Sequence, residues 1–162
     1  MNDTIIERWN ERVNPEDTIF HIGDFAFREK GNKKGITSLL KQLNGNKILL
    51  SGNHDLHNQS RIIINDATIT LAGKTFQLIH DPKQSAPWYY LVLCGHVHTA
   101  WKFHTITSCE VKIDVCNVGV DAWSYYPISI ETILNEYKKW KKDTEKEFQS
   151  FESKYGIKDL RG

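Results

Sequence analysis

Tyr89-Tyr90-Leu91-Val92-Leu93-Cys94-Gly95-His96-Val97-His98 is the stretch from which the rest of the chain is read. An unbroken run of apolar and aromatic residues of this length is a buried strand. A glycine ends it, and two imidazoles follow with one residue between them. The same construction recurs upstream. Thr18-Ile19-Phe20-His21-Ile22 runs into Gly23-Asp24, and Lys47-Ile48-Leu49-Leu50 runs into Ser51-Gly52-Asn53-His54-Asp55. A strand over 74–80 ends on His80. If these four strands lie side by side in register, Asp24, Asn53, His54, His80, His96 and His98 meet at one edge of a sheet. Open sheets commonly place ligand sites at the carboxyl ends of their strands.

Between these strands the periodicity changes. Ile5, Ile6, Trp9 and Val13 recur at helical spacing over 3–13, with Asn2 or Asp3 to cap the start. Asn14-Pro15-Glu16-Asp17 is a turn. Lys30 to Lys34 is a polar loop, and 35–43 form a second helix with Ile36, Leu39, Leu40 and Leu43 on its apolar face. Gly45 suits the left-handed stop that ends it. Residues 68–71 and 74–80 read as a hairpin joined at Ala72-Gly73. Further strands are expected near 102–106 and 111–118, then a charged helix over about 129–155. Mixed helices and strands, then mainly strands, then helix, predict a sheet-based α/β (α+β) domain with helices outside.

Composition narrows the function classes. The 162 residues fit one domain, and a net charge of +1 gives no bulk field toward nucleic acid or anionic membrane. No basic stripe with interleaved aromatics occurs. Cys94, Cys109 and Cys116 are odd in number and form no CxxC, so they read as small buried residues of a reducing compartment. No apolar run approaches the ~20 residues of a membrane span. The start, Met1-Asn2-Asp3-Thr4, has neither part of a signal peptide. A cytoplasmic protein is expected, with no membrane partner.

Taken singly, each motif has an ordinary explanation: Gly-Asp is a common turn, and His-x-His is often a surface or core pair. Gly52-Asn53-His54-Asp55 is more specific, because few turns need all three polar residues after a buried strand. The ordered set outweighs the separate explanations. Carboxylate, amide oxygen and imidazole together suit a divalent ion such as Mn, Fe, Zn or Ni better than calcium. Two such ions ~3.5–4 Å apart can share a bridging carboxylate, activate a water and neutralise a phosphate. The other histidines are read differently: His21 as a packed core residue, His57 as part of a solvated loop, and His104 as a strand residue with no signalled partner. Trp88, Trp101 and Trp123 read as core or rim packing.

The order Gly23-Asp24, Gly52-Asn53-His54-Asp55, His80, Gly95-His96-Val97-His98 resembles the calcineurin-like metallophosphoesterases, in their small single-domain bacterial and phage form. The resemblance covers most of residues 1–128, and Asn117 to Trp123 looks like the segment closing the fold in those members. It implies a two-sheet β-sandwich flanked by helices, with two divalent metals (Mn first; Fe, Zn, Ni or Mg possible). Asp24 would bridge both metals. Asn53, His80 and His96 would complete one site with it, and His98 would bind the other metal. Asn53 and His54 would contact a phosphate-ester substrate, and His54 would be the catalytic general acid. The implied activity is that of a hydrolase cleaving a phosphate mono- or diester by attack of a metal-bound hydroxide.

One element of the family pattern is missing. No Asp-x-His motif precedes Gly23-Asp24. The expectation is an N-terminally truncated domain over 1–128, its first strand missing, through a truncated or mis-called reading frame; a natural shortened protein is the alternative. Residues 129–162 are then a charged helical segment of the same domain. The first metal site would keep only Asp24 and His98, which impairs catalysis. The rival function is a non-catalytic metal- or partner-binding protein on the same fold. The candidate recognition loops at 28–34, 56–65 and 82–88 carry no code that names a substrate.

Overall fold

The computed structural model describes residues 2–25, 33–55 and 63–155, in two compact units, Met1–Ile128 and Ser129–Gly162. His57 and the greater part of the loops at 28–34 and 56–65 lie outside the described residues.

The first unit opens with helix α1 (Asn2–Arg12), which has Asp3 in its first turn and Arg12 in its last, both favourable to the helix dipole. Its apolar stripe is the predicted one. Trp9 and Val13 are buried with Leu43, and Ile6, Ile19 and Phe25 pack against them. Leu43 directly follows helix α2 (Lys33–Gln42), and Ile19 lies on strand β1 (Thr18–Ile22). Asn44 ties this corner together. Its carbonyl accepts the Trp9 indole N–H at 3.0 Å, and its amide donates to the Val13 carbonyl at 3.0 Å. Strand β2 (Asn46–Leu50) pairs parallel with β1, from Thr18 opposite Asn46 to Ile22 opposite Leu50.

The second sheet has five strands: β3 (Asp66–Leu71), β4 (Lys74–Ile79), β5 (Leu91–Cys94), β6 (Phe103–Ser108) and β7 (Val111–Asn117). Their spatial order is β3-β4-β5-β7-β6. The three central strands, β4, β5 and β7, run parallel, and both edge strands are antiparallel to their neighbours. Residues 76–79 of β4 and all of β5 are buried without alternation, the pattern of strands covered on both faces. Edge strand β3 has no buried residue. Ile79, Val92, Cys94, Ile113 and Val115 form one face of this core, with Tyr89, Trp101 and Ile106 packed on it.

Two sheets with helices, as the resemblance implies, are therefore present. The helix and strand bounds lie within two residues of their sequence expectation. Two expectations of burial fail. Cys109 is exposed, because it sits in the β6–β7 turn at φ +48°. Trp88 is 76 % exposed: it lies in the loop before β5, with its ring 6.2 Å from that of Tyr89.

The second unit contains α3 (Ile130–Tyr155), capped where the Ser129 hydroxyl accepts the Thr132 backbone N–H. Residues 141–150 are exposed all round. No helix among the described residues is long and apolar enough to cross a membrane.

Candidate metal centre

Parallel strands share a carboxyl end, and the two sheets bring theirs together. β1 delivers Gly23-Asp24, β2 delivers Asn53-His54, β4 ends one residue before His80, and β5 ends just before Gly95-His96. His80 is buried and joins the sheets: its Nδ1 lies 3.0 Å from the Ile22 carbonyl, and the Gly95 N–H donates to its own carbonyl at 3.2 Å. A carbonyl can only accept, so Nδ1 carries a hydrogen. In the neutral ring, Nε2 is then a lone pair.

That Nε2 lies 3.2 Å from Asp24 Oδ2, 3.0 Å from Asn53 Oδ1 and 3.3 Å from His96 Nδ1. Asn53 Oδ1 is in turn 3.1 Å from His96 Nδ1. Four atoms that carry lone pairs therefore converge, and they require a proton or a cation among them. Their separations match those of ligands sharing one ion at about 2.0–2.2 Å. The His, Asp and Glu side chains alone do not make a metal-holding group among the described residues. The set fits an ion only when the Asn53 amide oxygen, which links His80 to His96, is counted with Asp24, His80 and His96.

The backbone here is strained. Asp24, His96 and His98 adopt φ of +54°, +68° and +48°, a region that residues with a Cβ enter at a cost of about 1–3 kcal/mol each. Two glycines permit the close approach. A Cβ on Gly52 would meet the Asp24 carboxylate and backbone N–H, and one on Gly23, at φ +79°, would lie 2.6 Å from His80 Cγ and 2.7 Å from Gly52 Cα. Residues 2–124 match the model of the calcineurin-like phosphoesterase superfamily domain.

The chain belongs to that superfamily. It is 30 % identical over 143 residues to the uncharacterized protein MJ1445 of Methanocaldococcus jannaschii, covering 87 % of this chain and 77 % of the other. Its fold resembles the crystal structure of AQ665 from Aquifex aeolicus, a protein of unknown function, with a TM-score of 0.62, 27 % identity and 83 % of each chain covered. An archaeal phosphodiesterase structure matches at a TM-score of 0.46 and 23 % identity, over 73 % of this chain and 74 % of that one. Members of the superfamily typically use divalent metals.

Within this phosphoesterase fold the expected site residues divide. Asp24, Asn53, His80 and His96 gather. The His54 backbone N–H donates to Asp24 Oδ1 at 2.9 Å, which sets this exposed histidine beside the cluster. His98 instead pairs through Nδ1 with Asp121 Oδ2 at 3.0 Å. Sequence reading singled out neither Asp121 nor Asp55 as site residues. Asp55 Oδ2 accepts the Gly52 N–H at 3.0 Å and the Phe25 N–H at 3.3 Å, so it pins the Asn53 loop to the Asp24 loop. A carboxylate directly after Gly-Asn-His was the available signal.

His21 is half-buried, with its ring edge-on to Phe25 at 4.9 Å, and its buried Nδ1 has no hydrogen-bond partner among the described residues. Burial of that atom pushes its pKa down to about 4, against the opposing pull of the Asp55 and Asp24 carboxylates. His104 has an unforeseen partner, Trp101, whose ring it stacks on at 5.5 Å. The pair helps line a pocket of about 330 Å³ with Pro82, Lys83 and Ile106.

Proposed function

We propose that this chain is a metal-dependent hydrolase of phosphate esters, mono- or diesters, with its ion-binding group at Asp24, Asn53, His80 and His96. The observation that carries the proposal is the convergence of the four lone-pair atoms, with the ring orientation of His80 set by the Ile22 carbonyl. A bound divalent cation, Mn in first place, supplies Lewis acidity: it neutralises phosphate charge and acidifies a water to a nucleophile. The chain's own residues do the rest. Asp24 holds its carboxylate at the centre, with one oxygen toward His80 and the other accepting the His54 N–H. His54 donates a proton to the leaving oxygen, and Asn53 holds the substrate. His98 would serve a second ion.

His54→Ala should leave metal bound while turnover of a generic aryl phosphate diester falls about 10²–10⁴-fold, the usual contribution of a general acid. Retained turnover would remove His54 from that role. A second reading is a non-catalytic metal-binding protein on this fold, which the same four converging donors would also serve. Metal analysis with added Mn, run beside the assay, separates the two: bound metal without hydrolysis supports the second reading.

A further inference from the structure

We infer that Asp121 is a positioning residue for His98. It fixes the ring so that Nδ1–H faces the carboxylate and Nε2 is presented to an ion, and this inference rests on the phosphoesterase reading above. His98 and Asp121 are 23 positions apart, yet they meet at 3.0 Å. A carboxylate can only accept, so the hydrogen between them belongs to Nδ1. In the neutral ring, Nε2 then keeps its lone pair. A carboxylate behind a ligating histidine, fixing tautomer and orientation, is the recurrent outer support of metal sites.

The pairing is built by the fold. Asn117, at the end of β7, is fully buried. Its amide donates to the His98 carbonyl at 2.6 Å and to the Trp101 carbonyl at 2.9 Å, holding the loop that carries His98 at φ +48°. Its side-chain oxygen accepts the Gly119 N–H at 3.0 Å, and its carbonyl accepts the Trp123 indole N–H at 2.7 Å. Gly119 and Trp123 bracket the 3₁₀ turn Val120–Trp123 that bears Asp121. One buried amide thus secures both halves of an exposed pair. The two histidines of Gly95-His96-Val97-His98 present different atoms: His96 turns Nδ1 to the cluster, whereas His98 turns Nδ1 away to Asp121 and is left with Nε2 for a ligand.

Long-range proton–nitrogen NMR on the metal-free chain reads the tautomer directly. The wild type should show His98 protonated at Nδ1, and Asp121→Ala should lose that preference. Titration with Mn²⁺ alone then reads affinity. Asp121→Ala should weaken binding of the second Mn²⁺, the one assigned to His98, about 10- to 100-fold, and Asp121→Asn, which keeps the shape of the turn, should weaken it too. In a His98→Ala background Asp121→Ala should change nothing further, since the effect passes through the ring. An Nε2-protonated His98 in the wild type, or equal weakening with and without His98, overturns the inference. Wild type that binds no Mn²⁺ overturns the phosphoesterase reading along with it, whereas binding indifferent to Asp121 overturns this inference alone.

Discussion

Single atoms decide much of this site. Gly23 lacks a Cβ where one would run into the His80 imidazole, 2.6 Å from Cγ, at a backbone φ of +79°. Gly23→Ala must therefore strain the backbone and displace the ring that joins the sheets. A loss of at least about 2 kcal/mol is expected from the φ alone plus the clash. It should appear as a lower denaturant midpoint at unchanged slope, with weakened Mn²⁺ binding; unchanged values for both would contradict the packing described. His21 makes a prediction about acid. Its folded pKa of about 4 lies below its ordinary 6.5, so the unfolded chain binds the proton more readily between those values. Stability should therefore fall as pH drops from 6.5 to 4, by at most about 3 kcal/mol. His21→Leu should flatten that part of the profile, and an equally steep profile in the variant would assign the slope to other groups.

At the scale of elements, turn chemistry gives the sharpest expectation. The β3–β4 hairpin turns through Ala72 and Gly73 at φ +51° and +69°, both left-handed, as two-residue loops of this kind require. Alanine is a poor residue at the first of these positions, and asparagine is a favoured one. Ala72→Asn should stabilise the fold by about 0.5–1 kcal/mol, which for a chain of this size is about 1–4 °C in Tm. A lower Tm would mean that the turn is not under the strain its φ indicates. The hairpin was legible because Ala-Gly interrupts two strand-like runs, and β4 and β5 were legible because burial on both faces leaves continuous apolar runs. The direction of His98 was not. Residues two apart on a strand share a face, so spacing alone sends His96 and His98 the same way. Both instead lie in a loop at positive φ, where alternation no longer holds. The partner Asp121 was hidden for a related reason: it is brought to His98 by Asn117, a fully buried polar residue whose role depends on the β5–β7 pairing.

For the molecule as a whole, the cluster would link metal binding to folding. All four donors, Asp24, Asn53, His80 and His96, come from different strand ends, so they meet only when the β1–β2 pair and the five-stranded sheet are both formed. An ion held by this set binds the folded chain and not the unfolded one, and mass action then stabilises the fold. At a free Mn²⁺ concentration 100 times Kd the gain is about 2.7 kcal/mol, or about 5–10 °C in Tm for a domain of this size. A chelator should reverse the shift. Asn53→Ala isolates the cause, because Asn53 is exposed and its Oδ1 is the atom that links His80 to His96. The variant should melt near the metal-free wild type and gain little from added Mn²⁺. If the wild type shows no shift with saturating Mn²⁺ or Zn²⁺, the converging lone pairs are held by a proton and the metal-centre reading fails. If the variant gains as much as the wild type, the ion binds elsewhere on the chain.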